Sequence, residues 1–158
     1  MTERSEQMQS EQMIEELVRA IQAEKYAWEF FRWASDVSSS ESVKKIFKDF
    51  AKEEEIHQNL IKQQIERISG EEWDISGFKS EKFPGLTLPS KEEFLKRAMT
   101  EKDAISLGIK LEESAVKFYE ALNSISYDKE TRDFCTQFIS FEKEHLKNLE
   151  KKLSEIKS

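Results

Sequence analysis

"KEEEIHQNLI", residues 52–61, places one of the chain's two histidines, His57, three positions after Glu54 in a run of helix-forming residues. The other histidine repeats the arrangement: in "SFEKEHLKNL", residues 140–149, His145 follows Glu142 by three. Residues three apart on a helix face the same way, so each pair presents a carboxylate and an imidazole in a common direction. The flanking residues decide whether that direction is inward. Val43, Phe47, Phe50, Glu54, His57, Ile61 and Ile68 follow alternating steps of four and three, with Gln64 in the one missing place. Cys135, Phe138, Glu142, His145, Leu149 and Ile156 do the same. Both pairs therefore lie within apolar stripes that a folded helix would bury.

Two further stripes have the same character. Leu17, Ile21, Glu24, Trp28 and Phe31 form one, and Ile105, Ile109, Glu112, Val116 and Tyr119 the other. Each of the four seams is interrupted by a glutamate. The interruptions are also in register: Glu24 and Glu112, Glu54 and Glu142, and His57 and His145 share one gapless offset of 88 residues (112 − 24). At that offset Ile21 matches Ile109, Ala27 matches Ala115, Phe30 matches Phe118, Phe50 matches Phe138 and Ile68 matches Ile156. The chain reads as two copies of one helical hairpin, each completing the other's buried face.

The first helix is expected from about Ser10, or earlier, to about Val37. The second starts in "SDVSSSES", where Ser38 and Glu41 fit a capping box, and stops at Gly70. From Gly70 to Pro89, "GEEWDISGFKSEKFPGLTLP" holds both prolines and three of the four glycines, too many breakers for a helix. Ser90 with Glu93 opens a short helical stretch and Thr100 with Asp103 restarts it, giving a third long helix to about Ser124. Asp128 caps the fourth. A link over 71–89 can extend to roughly 65 Å, against about 38 Å for a helix of 25 residues, so it can run back along a neighbouring helix. A crossover bundle is expected rather than a simple up-down-up-down one.

Length and composition agree. At 158 residues the chain suits a single domain, 1–158, with enough core to fold alone. Charged residues make up 36%, with only four glycines and two prolines, as in an all-α protein. A net charge of −7 disfavours nucleic acid or an anionic membrane as partner. The single cysteine, Cys135, permits no disulfide or thiolate cluster within the chain and reads as a small core residue. The start, "MTERSEQMQSEQM", is polar and no 18 apolar residues run together, so a cytoplasmic protein is expected.

Ionised carboxylates in a low-dielectric seam cost several kcal/mol each, and four together also repel one another. No Lys or Arg lies in the seams to compensate. Two divalent cations would: four carboxylates carry −4, two ions carry +4, and two neutral imidazoles complete the ligand set. On this reading Glu24, Glu54, His57, Glu112, Glu142 and His145 are the metal ligands, with Glu24 and Glu112 bridging. Mixed oxygen and nitrogen donors suit iron, manganese or zinc rather than a thiolate-preferring copper site. Glu53, Glu55, Glu113 and Glu144 point about 100° away and read as surface charge. Trp28, Phe31, Phe50, Phe138 and Tyr119 read as core packing.

Glu24, "EEIH" at 54–57, "LEESAVKFYEAL" around Glu112 and "EKEH" at 142–145 resemble the ferritin-like superfamily, and within it the rubrerythrin-like group, over almost the whole chain. The resemblance implies a ferritin-like four-helix bundle with a di-iron centre that reacts with dioxygen or hydrogen peroxide. The chain departs from rubrerythrins in two respects. It has no four-cysteine rubredoxin module, so a peroxidase cycle needs an external electron donor. Where rubrerythrins carry an additional glutamate one turn after the third-helix ligand, it has Ala115.

The leading functional expectation is a di-iron oxidoreductase, of ferroxidase or peroxidase type, with no catalytic residues beyond the metal ligands. A non-catalytic protein that stores, buffers or senses a divalent metal is the second. A helical interaction scaffold with a degenerate site is the third, using Phe30, Trp33 and Phe78 for a partner or a second copy. The aromatic excess on the first helix suggests a homodimer.

Overall fold

Short polar side chains mark where the helices begin. In a computed structural model that describes residues 2–157, five helices form: α1 (Glu3–Val37), α2 (Glu41–Ser69), α3 (Lys91–Lys96), α4 (Glu101–Ile125) and α5 (Lys129–Lys157). Ser90 with Glu93, and Thr100 with Asp103, make the reciprocal capping boxes expected of them. The Asp128 carboxylate accepts from the Thr131 N–H at the start of α5. The box expected at Ser38 and Glu41 does not form. Ser38 finds an acceptor in the last turn of α1, its hydroxyl donating to the Ala34 carbonyl at 2.7 Å, and Ser40 caps α2 instead.

Gly70 ends α2 in the left-handed region at φ 74° and donates its N–H to the Glu66 carbonyl at 2.8 Å. Nothing lies within 4 Å of a Cβ built there, so the backbone alone opposes a side chain. Gly70→Ala is expected to destabilise by about 1 kcal/mol and lower the melting midpoint by about 2–4 °C, as read by circular dichroism.

Helix α1 packs along α2 and α4 along α5, and the two hairpins meet through α1 against α4 and α2 against α5. The connection after Gly70 runs back along α1. Lys25 donates to the Phe78 carbonyl, the Glu81 N–H donates to Gln22 at 3.0 Å, and the Ser80 hydroxyl donates to Glu29 at 3.0 Å. Phe83 then packs against Phe118 and Tyr119 of α4, and Phe94 of α3 against Trp33 of α1. The Ser40 N–H and hydroxyl both donate to Glu101 at 3.0 Å, placing the start of α4 beside the start of α2. The long helices thus run up, down, down and up, the order a crossover produces in a ferritin-like bundle.

The aromatic residues that suggested a partner pack within the chain, Trp33 against Phe94 of α3. Phe30 is buried, and Trp33 and Phe78 are half-buried against the core of their own chain. The seams also drift from strict four-three spacing. Past His57 the buried positions of α2 are Ile61 and Ile65, with Ile68 only half-buried. In α5 Leu149 is buried but Ile156 is exposed, and in α1 Ala27 is buried while Trp28 is half-buried. A straight helix turns about 20° per heptad away from a 3.5-residue repeat, which moves the buried position from residue 64 to 65. Among the described residues no helix is long and apolar enough to cross a membrane.

Candidate metal centre

The four seams meet at one height. Glu24 of α1, Glu54 and His57 of α2, Glu112 of α4, and Glu142 and His145 of α5 are each at most 4% exposed. Their donor atoms fall into two groups, Glu24–Glu54–His57–Glu142 and Glu54–Glu112–Glu142–His145, with all atoms of a group within 4.8 Å of one another. All six residues read from the sequence come together. The pattern of sharing differs from expectation: Glu54 and Glu142 belong to both groups, whereas Glu24 and Glu112, expected to bridge, each belong to one. The hairpins meet through both α1 against α4 and α2 against α5, and in that arrangement the Glu54 and Glu142 carboxylates come within reach of both imidazoles. His57 Nδ1 is accordingly 3.2 Å from Glu142 as well as 3.5 Å from Glu54, and His145 Nδ1 is 3.7 Å from Glu54.

Proximity is not the same as satisfaction. Both Glu54 oxygens, one oxygen each of Glu24, Glu112 and Glu142, and His57 Nδ1 are buried with no hydrogen-bond partner. Orphaned buried polar atoms are rare in folded proteins because each forfeits its hydration, and here six converge. Acceptor-only oxygens and ring nitrogens gathered at this spacing can hold divalent cations, one per group.

Without cations, protons must relieve the charge. Burial, then the charge of Glu142, pushes the Glu112 carboxyl well above its usual range. For His57, burial pulls downward, but the Glu142 and Glu54 carboxylates, 3.2 and 3.5 Å from Nδ1, outweigh it and raise the imidazolium to about 10. These shifts fix a sign. His57 titrates near 6.5 when unfolded, so its stabilisation is complete below that pH and lost as pH climbs to about 10. Glu112 acts in the same direction, since its buried acid favours the protonated form. The metal-free protein is expected to lose stability steadily between pH 6.5 and 10. A urea midpoint that stays flat or rises over that range would contradict this electrostatic picture.

Around the ligand candidates sits a second layer. The buried Tyr119 hydroxyl donates to Glu24 Oε1 at 2.6 Å. Burial, then the charges of Glu142 and Glu54, pushes that hydroxyl well above 10, so it stays a donor. His145 is stacked on Phe50 and makes a hydrogen bond from Nε2 to Glu53, which is 49% exposed. A pocket of about 220 Å³ opens above the two imidazoles between α2 and α5, walled by Ile56, Leu60 and Phe141 and edged by Glu53 and Glu144.

Glu53 is exposed, as expected of surface charge, but its bond to His145 gives it a place beside the site that the sequence reading did not assign. The signal that could have found it is the repeat itself, because Glu53 is matched at the 88-residue offset by Phe141, a departure beside an otherwise repeated ligand pair. Glu55, Glu113 and Glu144 are exposed, as expected. Trp28 packs half-buried against the edge of the core, with its Nε1–H donating to Glu55 at 2.7 Å and the Arg32 guanidinium 4.7 Å over its ring. Phe31, Phe50, Phe138, Tyr119 and Cys135 are buried as expected.

The family model described as Rubrerythrin matches residues 15–153, a span that includes all six ligand candidates. No curated protein and no solved structure matches the chain.

Proposed function

The chain belongs to the rubrerythrin family, and on that premise we propose that it is a di-iron protein reacting with dioxygen or hydrogen peroxide, with electrons from ferrous iron or an external donor. The observation that carries the proposal is the convergence of six unpaired buried donor atoms in two groups that share Glu54 and Glu142. Glu24 with His57 would complete one position and Glu112 with His145 the other. Mixed carboxylate and imidazole donors suit iron, manganese or zinc by ligand softness, and the family's chemistry favours iron. When bound, the iron pair supplies the redox equivalents.

The protein's own groups do the rest. Glu54 and Glu142 hold both positions in one frame. Phe50 against His145, and Phe138 and Phe141 against His57, shield the imidazole rings with apolar surface. The pocket between α2 and α5 gives a small oxidant an apolar approach to the histidines. Tyr119 keeps its proton and hydrogen-bonds Glu24.

Binding requires neutral imidazoles and ionised carboxylates, so loading should release protons from His57 and Glu112, and affinity should rise with pH while the stability of the metal-free protein falls. Calorimetry in buffers of differing ionisation enthalpy measures that release. For the function itself, protein is loaded anaerobically with ferrous iron and mixed with peroxide. The expected result is rapid oxidation of two bound ferrous ions per peroxide consumed. Uptake without oxidation faster than that of free iron would favour a storage or sensing role instead. Ala115, buried and apolar where rubrerythrins carry an additional glutamate, is the feature that favours this second reading.

A further inference from the structure

The six ligand candidates obey the 88-residue repeat, but their surroundings do not. His145 bonds through Nε2 to the Glu53 carboxylate. The residue that matches Glu53 in the other half is Phe141, and His57 lies flat against it, ring centroids 5.2 Å apart at 12°, with no protein partner for Nε2 among the described residues. The acids differ too. Tyr119 donates to Glu24, whereas its match at the same offset is Phe31, so no hydroxyl reaches Glu112 from that place.

The imidazole difference favours the His145 half. A carboxylate on the outer nitrogen holds the ring proton there, leaves Nδ1 free to bind and makes it a stronger donor; such outer partners are worth about 10–100-fold in metal affinity. The Tyr119 hydroxyl fixes one oxygen of Glu24 and leaves the other buried and without a partner. His57, without such an outer partner, is thus the weaker imidazole donor, and His145 the stronger.

Resting on the two-ion reading above, we propose that Glu53 is a positioning residue that makes the two positions unequal: the one completed by Glu112 and His145 fills first, and the one completed by Glu24 and His57 fills second. An ion at the second position exchanges more readily as a result. The chain's internal symmetry sets out two equal sites, and one substitution beside a ligand breaks it.

Having only two histidines makes the test clean. Protein labelled with nitrogen-15 at histidine is titrated with zinc, a redox-silent probe, and the ring resonances are followed. His145 is expected to respond over the first equivalent and His57 over the second. Glu53→Ala is expected to weaken the first step about tenfold and leave the second unchanged. Glu53→Gln, which keeps an acceptor but not the charge, should fall between. Because Glu53 is half-exposed, the melting midpoint of the metal-free variants should stay near that of the parent. Both histidines responding together in the parent protein would overturn the inference, and that measurement needs no variant. So would a Glu53→Ala variant that weakens both steps equally or neither. If zinc reaches neither histidine, the two-ion reading itself fails, an outcome distinct from two ions bound equally.

Discussion

Glu54→Ala is expected to remove both ions at once. Glu54 is the α2 carboxylate shared by the two groups, fully buried, with neither oxygen hydrogen-bonded. Its loss takes a ligand from each position, and uptake of ferrous iron or zinc should fall from two ions per chain to none that survives gel filtration. Glu24→Ala touches one group only and should leave one ion. The metal-free midpoint should move the other way. Deleting a buried carboxylate removes its desolvation cost of several kcal/mol and its repulsion of Glu112 and Glu142, so Glu54→Ala without metal should melt no lower than the parent. A Glu54→Ala protein that still holds two ions tightly would contradict the shared-ligand geometry. A helical scaffold with a degenerate site would show no ion uptake in the parent and no difference between the two variants.

Loading should produce the largest change in stability. An ion that binds only the folded chain stabilises it by about 4 kcal/mol at a thousand times its dissociation constant, and two positions give about 8 kcal/mol. For a domain of this size each kcal/mol is worth about 2–4 °C, so the melting midpoint should rise by about 15–30 °C and return on chelation. The physical source is the same set of orphaned donors. Protons on His57 and Glu112 only partly relieve them, whereas two cations neutralise four carboxylates directly. A midpoint that moves by less than about 3 °C at saturating ferrous iron or zinc would mean that the buried acids do not gather around an ion.

How far the sequence reached follows from what each signal encodes. The six ligand candidates were legible because charged groups in apolar seams are costly, so their recurrence at one gapless offset had a physical cause to find. The crossover was legible from the breakers between Gly70 and Pro89. What periodicity could not supply was rotation about the helix axis. Treating the seam as a strict repeat put Gln64 and Ile156 inward, where the structure buries Ile65 and exposes Ile156. It also put Trp28 at the centre of the seam, where the turn of α1 brings Ala27 inward and leaves Trp28 half-buried against the edge of the core. Sharing of the carboxylates was out of reach for a related reason. Which glutamates come within reach of both imidazoles depends on how the two hairpins meet, and no single helix records that. Phe30, Trp33 and Phe78 pack against their own chain, Trp33 against Phe94 of α3, and a contact so distant in sequence leaves no mark on the periodicity of α1.

The central claim is that six side chains from four helices grip two ions with Glu54 and Glu142 between them. Anomalous scattering at the iron edge, from crystals of protein reconstituted anaerobically with ferrous iron, tests it most directly. Two peaks should appear, one beside Glu24 and His57 and one beside Glu112 and His145, with the carboxylates of Glu54 and Glu142 reaching both. A single peak, or peaks lying outside the space enclosed by those six residues, would contradict it.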